Sequence, residues 1–149
     1  MEKSIQNEMR MTFPSLSVNE ALARSCAAAF CAQCNPTFDE LSDIKCAVSE
    51  AVTNAIVHGY RDVVGEISLA MRILPDRVLR IEIRDKGCGI SDIERARQPL
   101  FTTDPAGERS GMGFTVMENF MDSLRVVSTP GKGTKVVLTK KLSALPWVR

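Results

Sequence analysis

Apolar residues recur along this chain with two periods, every second position in some stretches and every third or fourth in others, and each period predicts its own element. From Glu66 to Ile73 the apolar positions are Ile67, Leu69, Met71 and Ile73; after Pro75-Asp76 the run Val78 to Asp85 alternates again, which predicts a β-hairpin. Near the C-terminus "LRVVST" and "KVVLTK" flank Pro130-Gly131-Lys132-Gly133 and predict a second hairpin. "MRMTF" alternates and stops at Pro14, as a short strand at a sheet edge would, because proline has no N–H to give to a ladder. Leu41, Ile44, Val48, Val52 and Ala55 instead follow helical spacing and define one buried stripe.

Helix starts are marked by capping-box patterns, in which a Ser or Thr hydroxyl and a Glu three residues later satisfy each other's backbone amides. Ser17-Val18-Asn19-Glu20 predicts a helix running toward Cys34, and Thr37-Phe38-Asp39-Glu40 predicts a second one that ends in "SEAVTNAIVHGY". A further helix is expected from about Gly113 to Met121, after a loop rich in Pro, Thr and Gly from Gln98 to Ser110. The order is strand, two helices, hairpin, loop, helix, hairpin. Strands therefore come in antiparallel pairs, and the expected fold class is α+β, with helices covering one face of a mixed, mostly antiparallel sheet.

Composition narrows the picture without changing it. A chain of 149 residues, 44% hydrophobic and 25% charged, is expected to fold as a single domain over residues 1–149. The formal net charge of +1 lacks the basic excess of a nucleic-acid-binding protein, so direct DNA or RNA contact is not expected. No stretch approaches the roughly 20 apolar residues of a membrane span, and "MEKSIQNEMRM" has no signal-peptide core, so a cytoplasmic location is expected. Cys26, Cys31, Cys34, Cys46 and Cys88 suit reduced thiols. The Cys31-x-x-Cys34 pair closes an alanine-rich helix, whereas a redox motif would open one, and no further ligands complete a zinc site.

Candidate chemistry gathers at three places. Glu50, Asn54 and His58 stand four apart, which on a regular helix makes an oblique ladder with neighbouring Cβ atoms roughly 5–6 Å apart. A solvated helix face is the plain reading of any one of them, yet together they offer a proton acceptor, an amide oxygen for a hard cation, and an imidazole for a phosphate or the helix end. In "RVLRIEIRDKGCGI" the alternation puts Asp85 on the apolar side, where a charge is costly unless donors meet it. Gly87 and Gly89 follow at once and permit close backbone approach, so Asp85 suits a flat ligand with an amino donor, such as adenine. "GERSGMGF" precedes an apolar helix and can offer free amides to phosphate. Neither glycine cluster has the Walker or the dinucleotide form.

Taken in order, Glu50-x-x-x-Asn54-x-x-x-His58, Asp85-x-Gly87-x-Gly89, Gly111-x-Gly113 and Gly133-Thr134 resemble the motifs of the GHKL ATPases, whose Bergerat fold is a two-layer α/β sandwich. Within that superfamily "SEAVTNAIVHGY", "IRDKGCGI", "PLFTTDPAGERSGMGF" and "GKGT" closely resemble the small sporulation anti-sigma factors of the F type, which double as serine kinases. The resemblance implies a site for ATP or ADP between helices and sheet, with Asp85 receiving the adenine amino group and Thr134 supporting it. Asn54 would hold Mg2+ on the phosphates. Gly111, Met112 and Gly113 would give backbone amides, and Arg109 would reach the terminal phosphate from a lid. His58, Gly87, Gly89, Ile90, Thr103, Ser110 and Phe114 would line the nucleotide, and Glu50 would be general base on a protein serine.

The same resemblance implies a homodimer that holds a sporulation sigma factor inactive and phosphorylates a serine of an anti-anti-sigma protein. The first strand and helix, with Arg24, resemble the partner-binding and dimer region. An ATP-gated sigma-factor-binding module with negligible kinase activity is the alternative. A histidine-kinase catalytic domain is disfavoured, because the chain's one histidine, His58, lies inside the nucleotide motif.

Overall fold

The computed structural model describes residues 4–98 and 113–145. In chain order the elements are β1 (Asn7–Pro14), α1 (Asn19–Ala32), α2 (Phe38–Asn54), a π-turn (Ala55–Gly59), β2 (Glu66–Leu74) and a 3-10 turn (Pro75–Arg77). They continue with β3 (Val78–Asp85), α3 (Ile93–Ala96), α4 (Gly113–Phe120), β4 (Ser123–Thr129) and β5 (Gly133–Lys141). The strands form one sheet in the order β1-β2-β3-β5-β4. Both expected hairpins are present, and β1 lies at an edge, where Pro14 needs no partner for a missing N–H.

The sheet departs from expectation in one respect. Among the described residues all of its ladders are antiparallel, with no parallel pair. The physical reason lies in the insertion of β5 between β3 and β4: the chain leaves β3, crosses by way of α4, and enters β4 at the far edge in a direction that leaves β5 antiparallel to both neighbours.

Alternation sets which face is buried. Ile67, Leu69 and Met71 of β2, Leu79, Ile81 and Ile83 of β3 and Val136 and Leu138 of β5 all point to one side. Against them sit Ile44, Val48, Val52 and Ala55, the predicted stripe of α2, with Leu41 partly buried at its margin. Each such aliphatic side chain contributes roughly 1.5–3 kcal/mol by leaving water. α2 lies between α1 and α4, whose Ala23, Ala27, Cys31, Phe114 and Met117 complete the same core. The small alanines of α1 allow the two helices to approach closely.

The helix starts divide. At α2 the capping box forms as expected, with the Glu40 amide donating to Thr37 Oγ1 at 3.1 Å and the Thr37 amide donating to Glu40 Oε1 at 2.8 Å. The Ser17 box does not form: α1 is capped at Val18 without a side-chain bond. Glu20 is drawn away by other partners, since its carboxylate accepts from Ser49 Oγ on α2 and pairs with Arg24, one turn along α1, at 3.6 Å. The short α3, capped by Asp92 accepting from the Arg95 amide at 3.0 Å, has no signal in the sequence periodicity. Among the described residues no helix is long and apolar enough to cross a membrane.

Candidate nucleotide site

The site lies where the C-terminal end of the central strand β3 meets the end of α2. α2 does not run on regularly to His58. From Ala55 to Gly59 the backbone widens into a π-turn closed by the Tyr60 amide donating to Ala55 O at 3.1 Å, an i→i+5 bond. Glu50 and Asn54 therefore keep their one-turn spacing within α2, and His58 lies in the widened turn that follows. The His58 carbonyl receives the Cys88 thiol at 3.0 Å, which joins the turn to the loop after β3.

Asp85 is buried, as its parity predicts, and stands beside Thr134 in the β3–β5 register. Burial pushes its carboxyl above the usual carboxylate range, and the amides of Gly87 and Thr134 oppose that shift by favouring the anion; Gly87 N lies 2.9 Å from Oδ1. Gly59 presses against the same carboxyl, since a Cβ there would lie 2.9 Å from Oδ1. The floor of the site is thus an acceptor with backbone on three sides.

The glycines are explained by contact. A Cβ on Gly87 would fall 1.9 Å from Gly59 O, so the β3 loop and the π-turn touch backbone to backbone, and the Cys88 amide donates to that same carbonyl at 2.9 Å. Gly89 has φ +74 and would clash with Thr129 O at 2.3 Å. Gly113, at the start of α4, faces Asn54: a Cβ would lie 2.9 Å from Nδ2 and 3.1 Å from Oδ1. That contact sets Gly113, the last glycine of its motif, against the α2 amide, which neither motif shows by itself.

The structure brings Asn54, Asp85, Gly87, Gly89, Ile90, Gly113 and Thr134 to one region. Glu50 is half-buried and opens on a groove of about 600 Å³ between α1, α2 and α4, shared with Arg24, Lys45, Ser49, Val116 and Phe120. The Phe114 side chain is buried in the core, so toward a ligand it offers only its backbone. Thr103, Arg109, Ser110, Gly111 and Met112 lie outside the described residues, as does most of the expected lid.

Three participants carry no motif signal. Ser128 accepts from the Ile90 amide at 2.8 Å and meets Thr134 Oγ1 at 2.8 Å and Gly133 O at 3.0 Å, holding the Gly89 loop to the β4–β5 hairpin. Tyr60 donates to Glu66 O at 2.5 Å and accepts from the Lys86 amide at 2.7 Å, bridging the ends of β2 and β3. Gly59 is the backbone that both Asp85 and Gly87 touch. Gly59 and Tyr60 stand in the quoted "SEAVTNAIVHGY", but spacing alone gives them no chemistry.

The thiols of the C-x-x-C are not poised for exchange. Burial pushes Cys31 up to about 12 and raises Cys34 as well, so both stay protonated at neutral pH.

Comparison with known proteins gives the family. Residues 13–140 match the family model of the histidine kinase-like ATPase domain. The chain is 55% identical over 140 residues to the anti-sigma F factor of Bacillus subtilis, covering 93% of this chain and 95% of that one. It is 48% identical over 141 residues to the anti-sigma F factor of Clostridium acetobutylicum, covering 95% and 98%. Among solved structures, the RsbU and RsbW domains of a Mycobacterium tuberculosis protein superpose with a TM-score of 0.69 at 23% identity, over 94% of this chain and 34% of that chain. The mycobacterial sensor histidine kinase MprB gives 0.55 at 20% identity, over 70% and 74%. A buried acid at the end of a central antiparallel strand, an asparagine held against the glycine that opens α4, and these matches together lead to one conclusion: the chain belongs to the histidine kinase-like ATPase domain family and, within it, to the anti-sigma F factors.

Proposed function

We propose that the whole chain works as one nucleotide-binding domain that is both an ATP-dependent protein serine kinase and an anti-sigma factor. It holds a sporulation sigma factor inactive and transfers a phosphoryl group to a serine of an anti-anti-sigma protein. The observation that carries the reading is the buried Asp85 carboxyl, faced by Gly59 and by the amides of Gly87 and Thr134, together with the contact between Gly113 and Asn54 at the end of α2. Such an acceptor on a backbone floor selects adenine's amino group by a hydrogen bond that a donor in its place would refuse.

Asn54 suits Mg2+. Among the described residues no group of three His, Cys, Asp or Glu could hold a metal, and magnesium is commonly held by few protein oxygens, the rest coming from phosphate and water. The cation would neutralise charge on the transferred phosphoryl group. The amides at the start of α4, from Gly111 to Phe114, would receive phosphate oxygens, with Thr103, Ser110 and His58 beside them and Arg109 at the terminal phosphate. Ile90 would cover the base.

Glu50, one helical turn before Asn54, takes the proton of the incoming serine hydroxyl as its oxygen bonds to the terminal phosphorus. The bond to the bridging oxygen breaks, and ADP leaves. The groove at Glu50 gives a partner's serine a way in. The protein acts as a homodimer, with β1 and α1, including the half-exposed Arg24, in the partner-binding region.

The test is Glu50→Ala with labelled ATP and lysate of the source organism. Loss of label on the partner with ATP affinity near wild type is the expected result. Equal labelling by mutant and wild type would remove Glu50 as general base, and no labelling by either, with the sigma factor still captured, would leave an ATP-gated binding module in place of a kinase.

A further inference from the structure

The described helices pack on one face of the sheet, and the residues of opposite parity form the other. On that outer face the registers set Arg72 directly across from Arg80 and Arg84 directly across from Lys135. Like charges in directly opposed positions weaken a sheet. Glu82 lies between the two pairs along β3 and is shared by all of them, at 4.0 Å from Arg72, 4.0 Å from Arg80, 3.6 Å from Arg84 and 3.8 Å from Lys135. Glu8 is likewise divided between Arg10 at 2.8 Å and Arg72 at 2.9 Å. The exposed Arg125 extends the patch onto β4, in the row of Glu82 and Val137. Positive charge therefore exceeds negative on this face, although the whole chain carries only +1. The compensating acids lie elsewhere on the surface.

We propose that the outer face of the sheet is a docking surface for an acidic segment of a partner protein, whose carboxylates complete the pairing of cations that now share Glu82. This surface is separate from the nucleotide site, on the opposite side of β3 from Asp85. Guanidinium groups match carboxylates with paired hydrogen bonds, and those already held by Glu8 and Glu82 lose less freedom on binding. Along β3 the cation pairs stand four residues apart, roughly 13 Å, within reach of one short segment.

Nucleic acid fits the same face poorly. Its uncharged positions, among them Ser68, Ala70, Ser123, Val127, Val137 and Thr139, include no aromatic side chain, so it has no platform for stacking bases. Five strands also span only roughly 20–25 Å, and a duplex would overrun them onto the surfaces that carry the compensating acids.

The experiment measures fluorescence anisotropy of a short labelled polyglutamate peptide, and in parallel of a short labelled DNA duplex, against the full chain at low and high salt. The peptide should bind at low salt, release as salt rises, and lose about tenfold in affinity with Arg84→Gln plus Lys135→Gln. Arg125→Gln, an exposed edge change that leaves the fold untouched, should weaken it about threefold, and Glu82→Gln should tighten it, because it raises the charge of the patch. ATP affinity should stay at the wild-type value throughout. Absent peptide binding, equal binding by wild type and Arg125→Gln, tighter binding of the duplex than of the peptide, or self-association of the chain lost with the same substitutions would each overturn the proposal.

Discussion

Asp85→Asn exchanges one carboxylate oxygen for an NH2 group at nearly constant volume, inside a site where two backbone amides already point at the side chain. The remaining oxygen can serve one amide or the ligand, but not every donor at once, and the new NH2 opposes the adenine amino group. A hydrogen bond to a charged group contributes about 1.5–3 kcal/mol, so the ATP dissociation constant should rise roughly 10- to 150-fold. Acid dependence gives a second readout. Because burial raises the carboxyl in the folded state, its contribution to stability is fully present below the unfolded value of 3.8 and is lost as pH rises through the higher folded value. The wild-type protein should therefore lose ATP affinity on acidification before an ordinary carboxylate would protonate, as Asp85 gains a proton. The Asn variant should lack that limb. Isothermal titration across pH, with thermal melting as a check on the fold, measures both. Unchanged affinity in a folded Asp85→Asn variant would refute the role of this carboxyl in adenine recognition.

Gly113→Ala should push the Asn54 amide aside, since the new Cβ would sit 2.9 Å from Nδ2. Overpacking by a methyl costs about 1–3 kcal/mol, and because the yielding atom ends a side chain the loss should appear as about tenfold weaker magnesium-dependent ATP binding with little change in melting temperature. Ser128→Ala leaves the Ile90 amide without its acceptor at 2.8 Å, and a stability loss of about 1–3 kcal/mol should be read in a urea titration. In a timed alkylation at pH 8 followed by mass spectrometry, the exposed Cys46 and Cys88 should react first. Cys31, buried and pushed up to about 12, should react only on unfolding, and early loss of the Cys31 thiol would contradict its placement in the core.

The docking face and the nucleotide site use opposite sides of the same strand. Along β3, Leu79, Ile81, Ile83 and Asp85 face the helices, while Arg80, Glu82 and Arg84 face outward. A one-residue change of register would exchange the two sets, which is why both functions depend on the Asp85–Thr134 pairing being held.

Much of this was legible in the chain itself, because alternation and helical spacing are local. The two hairpins, the stripe of α2, the Thr37 capping box and the burial of Asp85 all follow from residues within a few positions of one another. Other features required distant segments to meet. The Ser17 box was lost to a Glu20–Ser49 bond between helices, the end of α2 widened into a π-turn that packs on the β3 loop, and Ser128 entered the site only because β4 and β5 fold back beside Gly89. A net charge of +1 likewise hid a basic face, because the sum over a sequence carries no record of the side on which each charge emerges. Period and parity determine which way a side chain points, but what it meets there is decided by packing between elements far apart in the chain.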